Sequence, residues 1–204
     1  MALSRPRSAA EYRQVLESAV EDYERISRLI ENMLFLARAE DPRASIRHDE
    51  IDLHVAAERL RDYFEPLAEE RGVTLACRAE GSVLRVRADK TLLLRALGNL
   101  IANALRHAVA GSTVEVHASE GPGGGCTIAV SNVGPAIPLG EQQRIFERLY
   151  RIDPSREGSA AGSGLGLAIV KSIMDLHGGN VTLSSSEGER TVFALWFPPG
   201  PATA

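Results

Sequence analysis

Long apolar runs are missing from this chain of 204 residues. No stretch approaches the roughly 18 residues that a membrane-spanning helix requires, and the opening Met-Ala-Leu-Ser-Arg-Pro lacks the charged-then-apolar order of a secretory signal. The chain as given reads as cytosolic. Cysteine is scarce: Cys77 and Cys126 stand far apart, with no CxxC and no nearby histidine pair, which argues against a disulfide framework and a zinc site. Both read as small, buried apolar residues. Basic clusters are absent and the formal net charge is −4, so nucleic acid is not expected as a partner. What is present, 44% hydrophobic and 25% charged residues, is the composition of an ordinary globular protein, one domain with an appendage.

Residues 8–40 form the most regular segment. Ser8 followed by Glu11 is a capping box just after Pro6, and Asp41-Pro42 supplies the stop. Between them Tyr12, Leu16, Ala19, Tyr23, Ile26, Ile30, Met33 and Ala37 recur at spacings of four and three, the heptad pattern of a bundled helix. At 1.5 Å per residue it would be about 50 Å long. One seam on so long a helix needs a partner from elsewhere, and Asp41-Pro42-Arg43 reads as a hinge.

Beyond the hinge, strand and helix periods alternate. Strands are expected at 46–53, 73–79, 83–87, 113–118, 126–131, 181–185 and 191–197, and helices at 55–71, 89–109 and 164–177. Both cysteines fall on strands. Helices mixed with mostly hairpin-connected strands suggest an α+β sandwich with its helices on one face of a sheet. Residues 133–163 show little period beyond a short helix at 141–150, and irregular stretches of that length are usually functional.

Three polar motifs carry chemistry. Asn99, Asn103 and Arg106 fall at i, i+4 and i+7 on one face of a leucine-rich helix, with His107 beside them. Asparagine is a mediocre helix former, so two of them suggest a use for their amide oxygens, which suit Mg²⁺ sharing its shell with phosphate and water. Read alone, a solvated face would also explain this stripe. Gly162-Ser163-Gly164-Leu165-Gly166-Leu167 runs into an amphipathic helix, and amides at such a turn suit phosphates. It fits neither GxGxxG nor the P-loop pattern, and a flexible turn is the plain alternative. Asn132, at a strand end before Gly134, can read the edge of a planar heterocycle with its donor and acceptor, or simply make a turn.

In this order the motifs resemble the ATP-binding catalytic domain of sensor histidine kinases, within the superfamily of gyrase, the heat-shock chaperone and the mismatch-repair ATPases. Residues 99–107 resemble the N box, 132–137 the first glycine box, 145–151 the F box and 162–167 the second glycine box. Residues 8–40 resemble the second helix of the dimerisation domain. The resemblance implies a two-layer α/β sandwich of the Bergerat type, a mixed sheet with helices on one face, preceded by a long N-terminal helix. The domains would be 1–41, a partial dimerisation domain; 42–45, a hinge; 46–199, the catalytic domain with a lid at about 138–163; and 200–204, a tail. ATP and Mg²⁺ would be the cofactors. Asn103 would bind Mg²⁺ with Asn99 in support, and Arg106 and Arg151 would contact phosphates. His107, Asn132, Gly134, Ile137 and Tyr150, with the glycine-box residues Gly162, Gly164, Leu165, Gly166 and Leu167, would line the nucleotide. Phe146 would anchor the lid by packing.

The same resemblance implies a homodimer through the dimerisation helices, a response-regulator partner, and a location as the cytoplasmic portion of an inner-membrane bacterial sensor. Two departures from the family pattern stand out. Asn132 replaces the usual aspartate and Ala136 the usual glycine, a version of the box that resembles the heavy-metal subgroup of copper and silver sensors. A neutral acceptor is weaker by roughly 1 kcal/mol, so adenine binding is expected at reduced affinity. In addition, none of His48, His54, His107, His117 or His177 lies in a sequence like the phosphoacceptor His-Glu-Leu-Arg-Thr-Pro, so normal autophosphorylation is not expected of these residues alone. Two alternatives are a nucleotide-gated interaction module and an ATP hydrolase. The hydrolases carry a glutamate base where Asn99 stands, and an amide cannot take that proton.

Overall fold

The computed structural model describes residues 8–41, 43, 45–79, 85–152 and 163–200. The first helix, α1 (Ala9–Ala39), begins as its sequence dictates. Glu11 N–H donates to Ser8 Oγ while Ser8 N–H donates to the Glu11 carboxylate, closing the capping box. Its heptad seam is largely open to solvent, with Leu16 65% and Tyr23 73% exposed. Only its last turns meet the rest of the molecule, through buried Leu36 and half-buried Leu29 and Phe35.

Strand β1 (Asp49–Asp52) is shorter than the expected 46–53, because the Asp52 carboxylate accepts the His54 and Val55 amides and caps helix α2 (Leu53–Glu70). Gly72, at φ +63°, turns the chain into strand β2 (Thr74–Ala79). Strand β3 (Arg85–Ala88) pairs antiparallel with β1 in a separate two-stranded sheet. Asp89 then caps helix α3 (Lys90–His107), accepting the Thr91 and Leu92 amides. Strands β4 (Thr113–Glu120) and β5 (Cys126–Asn132), helix α4 (Gly166–Leu176), and strands β6 (Asn180–Ser184) and β7 (Thr191–Phe197) complete the fold.

The main sheet runs β2-β4-β5-β7-β6, parallel between β2 and β4 and antiparallel elsewhere. It is therefore mixed, and β2 joins β4 by a crossover that includes α3 rather than by a hairpin. Strand alternation sends Val114 and Val116, Ile128 and Val130, and Phe193, Leu195 and Phe197 to one face, where α2, α3 and α4 pack. Each large apolar side chain buried there contributes roughly 1.5–3 kcal/mol. This is the two-layer sandwich expected from the sequence.

Three local expectations change. The helix anticipated at 141–150 is replaced by two 3-10 turns, Leu139–Glu141 and Arg144–Phe146. Glu147 is extended and Leu149 adopts φ +62°, so no helical ladder can propagate, while Ile145 and Phe146 pack inward. The helix expected to reach Val109 ends at His107, with Ala108 extended. Finally, only Cys126 is buried; Cys77 sits on edge strand β2 and is half-buried.

A hydrogen bond joins the start of α3 to the end of α4. Asp89 N–H donates to His177 Nε2 at 3.0 Å, so His177 Nδ1 carries the proton and donates to the Ile173 carbonyl at 2.7 Å. Burial is the main cause holding this imidazole below its ordinary pKa.

Candidate nucleotide site

The polar stripe of α3 meets the start of α4 near its middle and the turn after β5 at its end. Asn99 donates from Nδ2 to the Arg95 carbonyl at 2.9 Å. Its Oδ1 faces Gly166, where a Cβ would lie 3.2 Å away. The first residue of α4 is thus a glycine in close contact with the N-box asparagine. One turn along the same face lies Asn103, half-buried, followed by exposed Arg106 and His107. Desolvation, then the positive charges of Arg71 and Arg151, hold Arg106 below its ordinary pKa. A like-charged group of this kind suits an anion.

Asn132 ends β5 on the inward side, 4% exposed. The turn after it requires glycine: a Cβ on Gly134 would lie 2.2 Å from the His107 carbonyl oxygen and 3.0 Å from Asn132 Nδ2. Val109 N–H donates to the Val133 carbonyl and closes the same corner. Ile137 N–H donates to Ser185 Oγ, which bonds Thr191 Oγ1 at 2.7 Å.

The second glycine box is clamped against the base of the lid. Leu149 N–H donates to the Gly164 carbonyl at 3.0 Å, and a Cβ on Gly164, itself at φ +69°, would lie 2.8 Å from the Leu149 carbonyl carbon. Glycine is needed there on both counts.

The structure brings Asn99, Gly166, Leu149 and Gly164 together near the middle of α3, and His107, Asn132 and Gly134 together at its end. Leu165 is buried, and Leu167 and Ile137 are half-buried against the core. Tyr150 turns its hydroxyl to the Glu141 carboxylate, with the Arg144 guanidinium 4.3 Å over its ring. Phe146 meets Phe193 edge to face at 6.2 Å, the packing role expected of it. Gly162 lies outside the described residues. Arg71 and Thr191 escaped the sequence reading. Thr191 is buried directly across from Asn132, and its signal was available as a polar residue in phase with the apolar stripe Phe193, Leu195 and Phe197. Arg71 gave no local signal, because it reaches the end of α3, at the Leu105 carbonyl, only through tertiary structure.

The model of the family described as histidine kinase-, DNA gyrase B- and HSP90-like ATPase matches residues 88–201, just over half of the chain. The chain belongs to this family. Its matched region holds every glycine and asparagine of the candidate site. Among curated relatives it is 47% identical over 198 residues to the sensor protein IrlS of Burkholderia pseudomallei, covering 97% of this chain and 42% of that protein. It is 39% identical over 196 residues to the sensor histidine kinase CusS of Escherichia coli, covering 96% of this chain and 40% of that one. The chain thus spans less than half the length of these relatives. Among solved structures, full-length ShkA in complex with AMPPNP superposes with a TM-score of 0.84 at 26% identity, covering 100% of this chain and 42% of that one. The catalytic domain of histidine kinase ThkA shares the fold, at a TM-score of 0.66 and 24% identity.

Proposed function

We propose that this chain is the ATP-binding catalytic module of a sensor histidine kinase of the heavy-metal subgroup, with the stalk helix α1 as part of its dimerisation domain. The observation that carries this reading is that helix α3 and the lid base meet the glycine boxes without room for a side chain: Asn99 at Gly166, His107 at Gly134 and Leu149 at Gly164. Each close approach excludes a side chain and leaves backbone there, which suits a ligand rich in phosphate oxygens. Asn132 accepts from the adenine amino group through its amide oxygen. His107 lies against the nucleotide, and Arg106 and Arg151 hold phosphate oxygens.

Among the described residues no three histidine, cysteine or carboxylate groups gather where a metal ion could be held. The fitting donor is the Asn103 amide oxygen, a hard neutral ligand that leaves the remaining positions to phosphate and water. Bound Mg²⁺ would neutralise charge developing on the phosphates. The protein's own part is to align and hold. The nitrogen of a phosphoacceptor histidine on a dimerisation helix attacks the γ-phosphorus, the bond to the bridging oxygen breaks, and ADP leaves carrying that oxygen. Asn99 cannot activate water as a glutamate would, which favours transfer to protein over hydrolysis. The phosphohistidine then serves a response regulator.

The domain division follows the same reading: a partial dimerisation segment at 1–41, a hinge at 42–45, the catalytic domain at 46–199 and a tail. It would sit on the cytoplasmic side of a membrane sensor that pairs as a homodimer. No described helix is long and apolar enough to cross a membrane. The test is transfer of labelled γ-phosphoryl from ATP to a separate polypeptide carrying the phosphoacceptor histidine. Transfer supports the kinase. Nucleotide binding without transfer supports the alternative, a nucleotide-gated interaction module, which the neutral Asn132 in the adenine position favours.

A further inference from the structure

Asn132, the residue placed at the base, is 4% exposed, and among the described residues its amide makes no hydrogen bond. Nor is the amide sealed off: among those residues the only sealed polar side-chain atom without a partner is Ser112 Oγ. A buried amide is ordinarily paired within the protein. This one keeps both its donor and its acceptor for a ligand.

The backbone beneath it is held from several sides. Arg190 Nε donates to Ser131 Oγ at 3.0 Å, and Arg190 Nη2 donates to the carbonyls of Ser131 at 3.3 Å and Thr113 at 2.7 Å. Thr191 pairs with Asn132 across the strands, and a Cβ on Gly134 would lie 3.0 Å from Asn132 Nδ2. What stays free is rotation about the last side-chain bond, which exchanges oxygen and nitrogen with little change of shape. The neighbouring hydroxyls impose no sense on that rotation, because Ser185 Oγ and Thr191 Oγ1 lie 2.7 Å apart and either can be the donor.

A carboxylate at this position would offer acceptors alone. It would favour a purine edge that presents an amino group and repel one that presents a carbonyl. An amide can meet both. With its oxygen towards the base it accepts from a 6-amino group, as in adenine; turned over, its NH2 donates to a 6-oxo group, as in hypoxanthine or guanine.

We infer that Asn132 is a specificity-determining residue that lets this site take 6-oxopurine nucleoside triphosphates as well as ATP. The inference rests on the nucleotide-site reading above and adds to it the range of bases that the site admits. Selectivity is a difference of two affinities. An amide in place of a carboxylate acts on both: it weakens the hold on the 6-amino edge and withdraws the repulsion that excludes the 6-oxo edge.

The experiment titrates the full chain by calorimetry with ATP and with inosine triphosphate, each with Mg²⁺. Inosine triphosphate differs from ATP at this edge alone, with a 6-oxo group and N1–H in place of the 6-amino group and bare N1. The parent should bind the two within about ten-fold of each other, since one neutral hydrogen bond replaces another. In Asn132→Asp the preference for ATP should open to about a hundred-fold or more, because a buried acceptor would then face an acceptor. Asn132→Leu keeps the volume without burying a charge; it should weaken both nucleotides and leave their ratio near that of the parent. A parent that prefers ATP by about a hundred-fold would overturn the inference. So would an Asn132→Asp chain as unselective as the parent, or an Asn132→Leu chain that binds both nucleotides as tightly as the parent does. A parent that binds neither nucleotide would overturn the reading beneath it.

Discussion

At the scale of single residues, the proposed site rests on one substituted acceptor and a few glycines without room for a side chain. Asn132 is buried beside Thr191 and next to Gly134. In Asn132→Asp a charged acceptor replaces a neutral one, and calorimetry should show ATP binding strengthened by about 1 kcal/mol, near five-fold. The unliganded variant should melt lower, because a carboxylate now occupies a buried position. Unchanged affinity would mean that Asn132 does not meet the base. Gly134→Ala should cost about 1–3 kcal/mol in urea unfolding, since its Cβ would overlap the His107 carbonyl and neither backbone segment can yield freely. Asn99, Asn103 and Asn132 were legible as candidates because polar residues stood out against apolar helix and strand patterns. Arg71 was not, because its proximity to Arg106 arises only when α2 and α3 pack together.

At the scale of elements, local chemistry foretold what local chemistry decides. The Ser8–Glu11 box lies where the sequence signals it, and Asp89 and Gly72 bound helices close to their expected ends. The segment 139–150 did not follow its helical propensity, because Ile145, Phe146 and the pinned Leu149 take their conformation from tertiary contacts. Strand partners were likewise beyond local reading: β3 pairs with β1, although β2 immediately precedes it. The join between α3 and α4 carries a pH signature. His177 is held neutral, accepting from Asp89 N–H, with a pKa below its ordinary value. The unfolded chain therefore takes up a proton first as pH falls below about 6.5, so stability rises with pH through that window and levels off above it. Urea midpoints should drop between pH 7 and pH 5.5. In His177→Gln that part of the pH dependence should vanish, and a variant that retains it in full would show that other groups cause it.

At the scale of the molecule, a compact sandwich carries a helix whose apolar seam it covers only at the end. Tyr12, Leu16, Tyr23, Ile26, Ile30 and Met33 are exposed along one heptad stripe, and a contiguous apolar stripe of this kind marks an interaction surface. The chain should therefore self-associate through α1. Sedimentation should show a concentration-dependent dimer that Leu16→Glu with Ile30→Glu converts to monomer while nucleotide binding persists. A parent that remains monomeric at high concentration would count against a paired stalk. The nucleotide site itself is tested by titrating the chain with ATP, with and without Mg²⁺, beside Asn103→Ala. Mg²⁺ should strengthen binding in the parent, and the Mg²⁺ dependence should be lost in Asn103→Ala. No binding to the parent, or a Mg²⁺ dependence untouched by the loss of Asn103, would contradict the nucleotide-site reading.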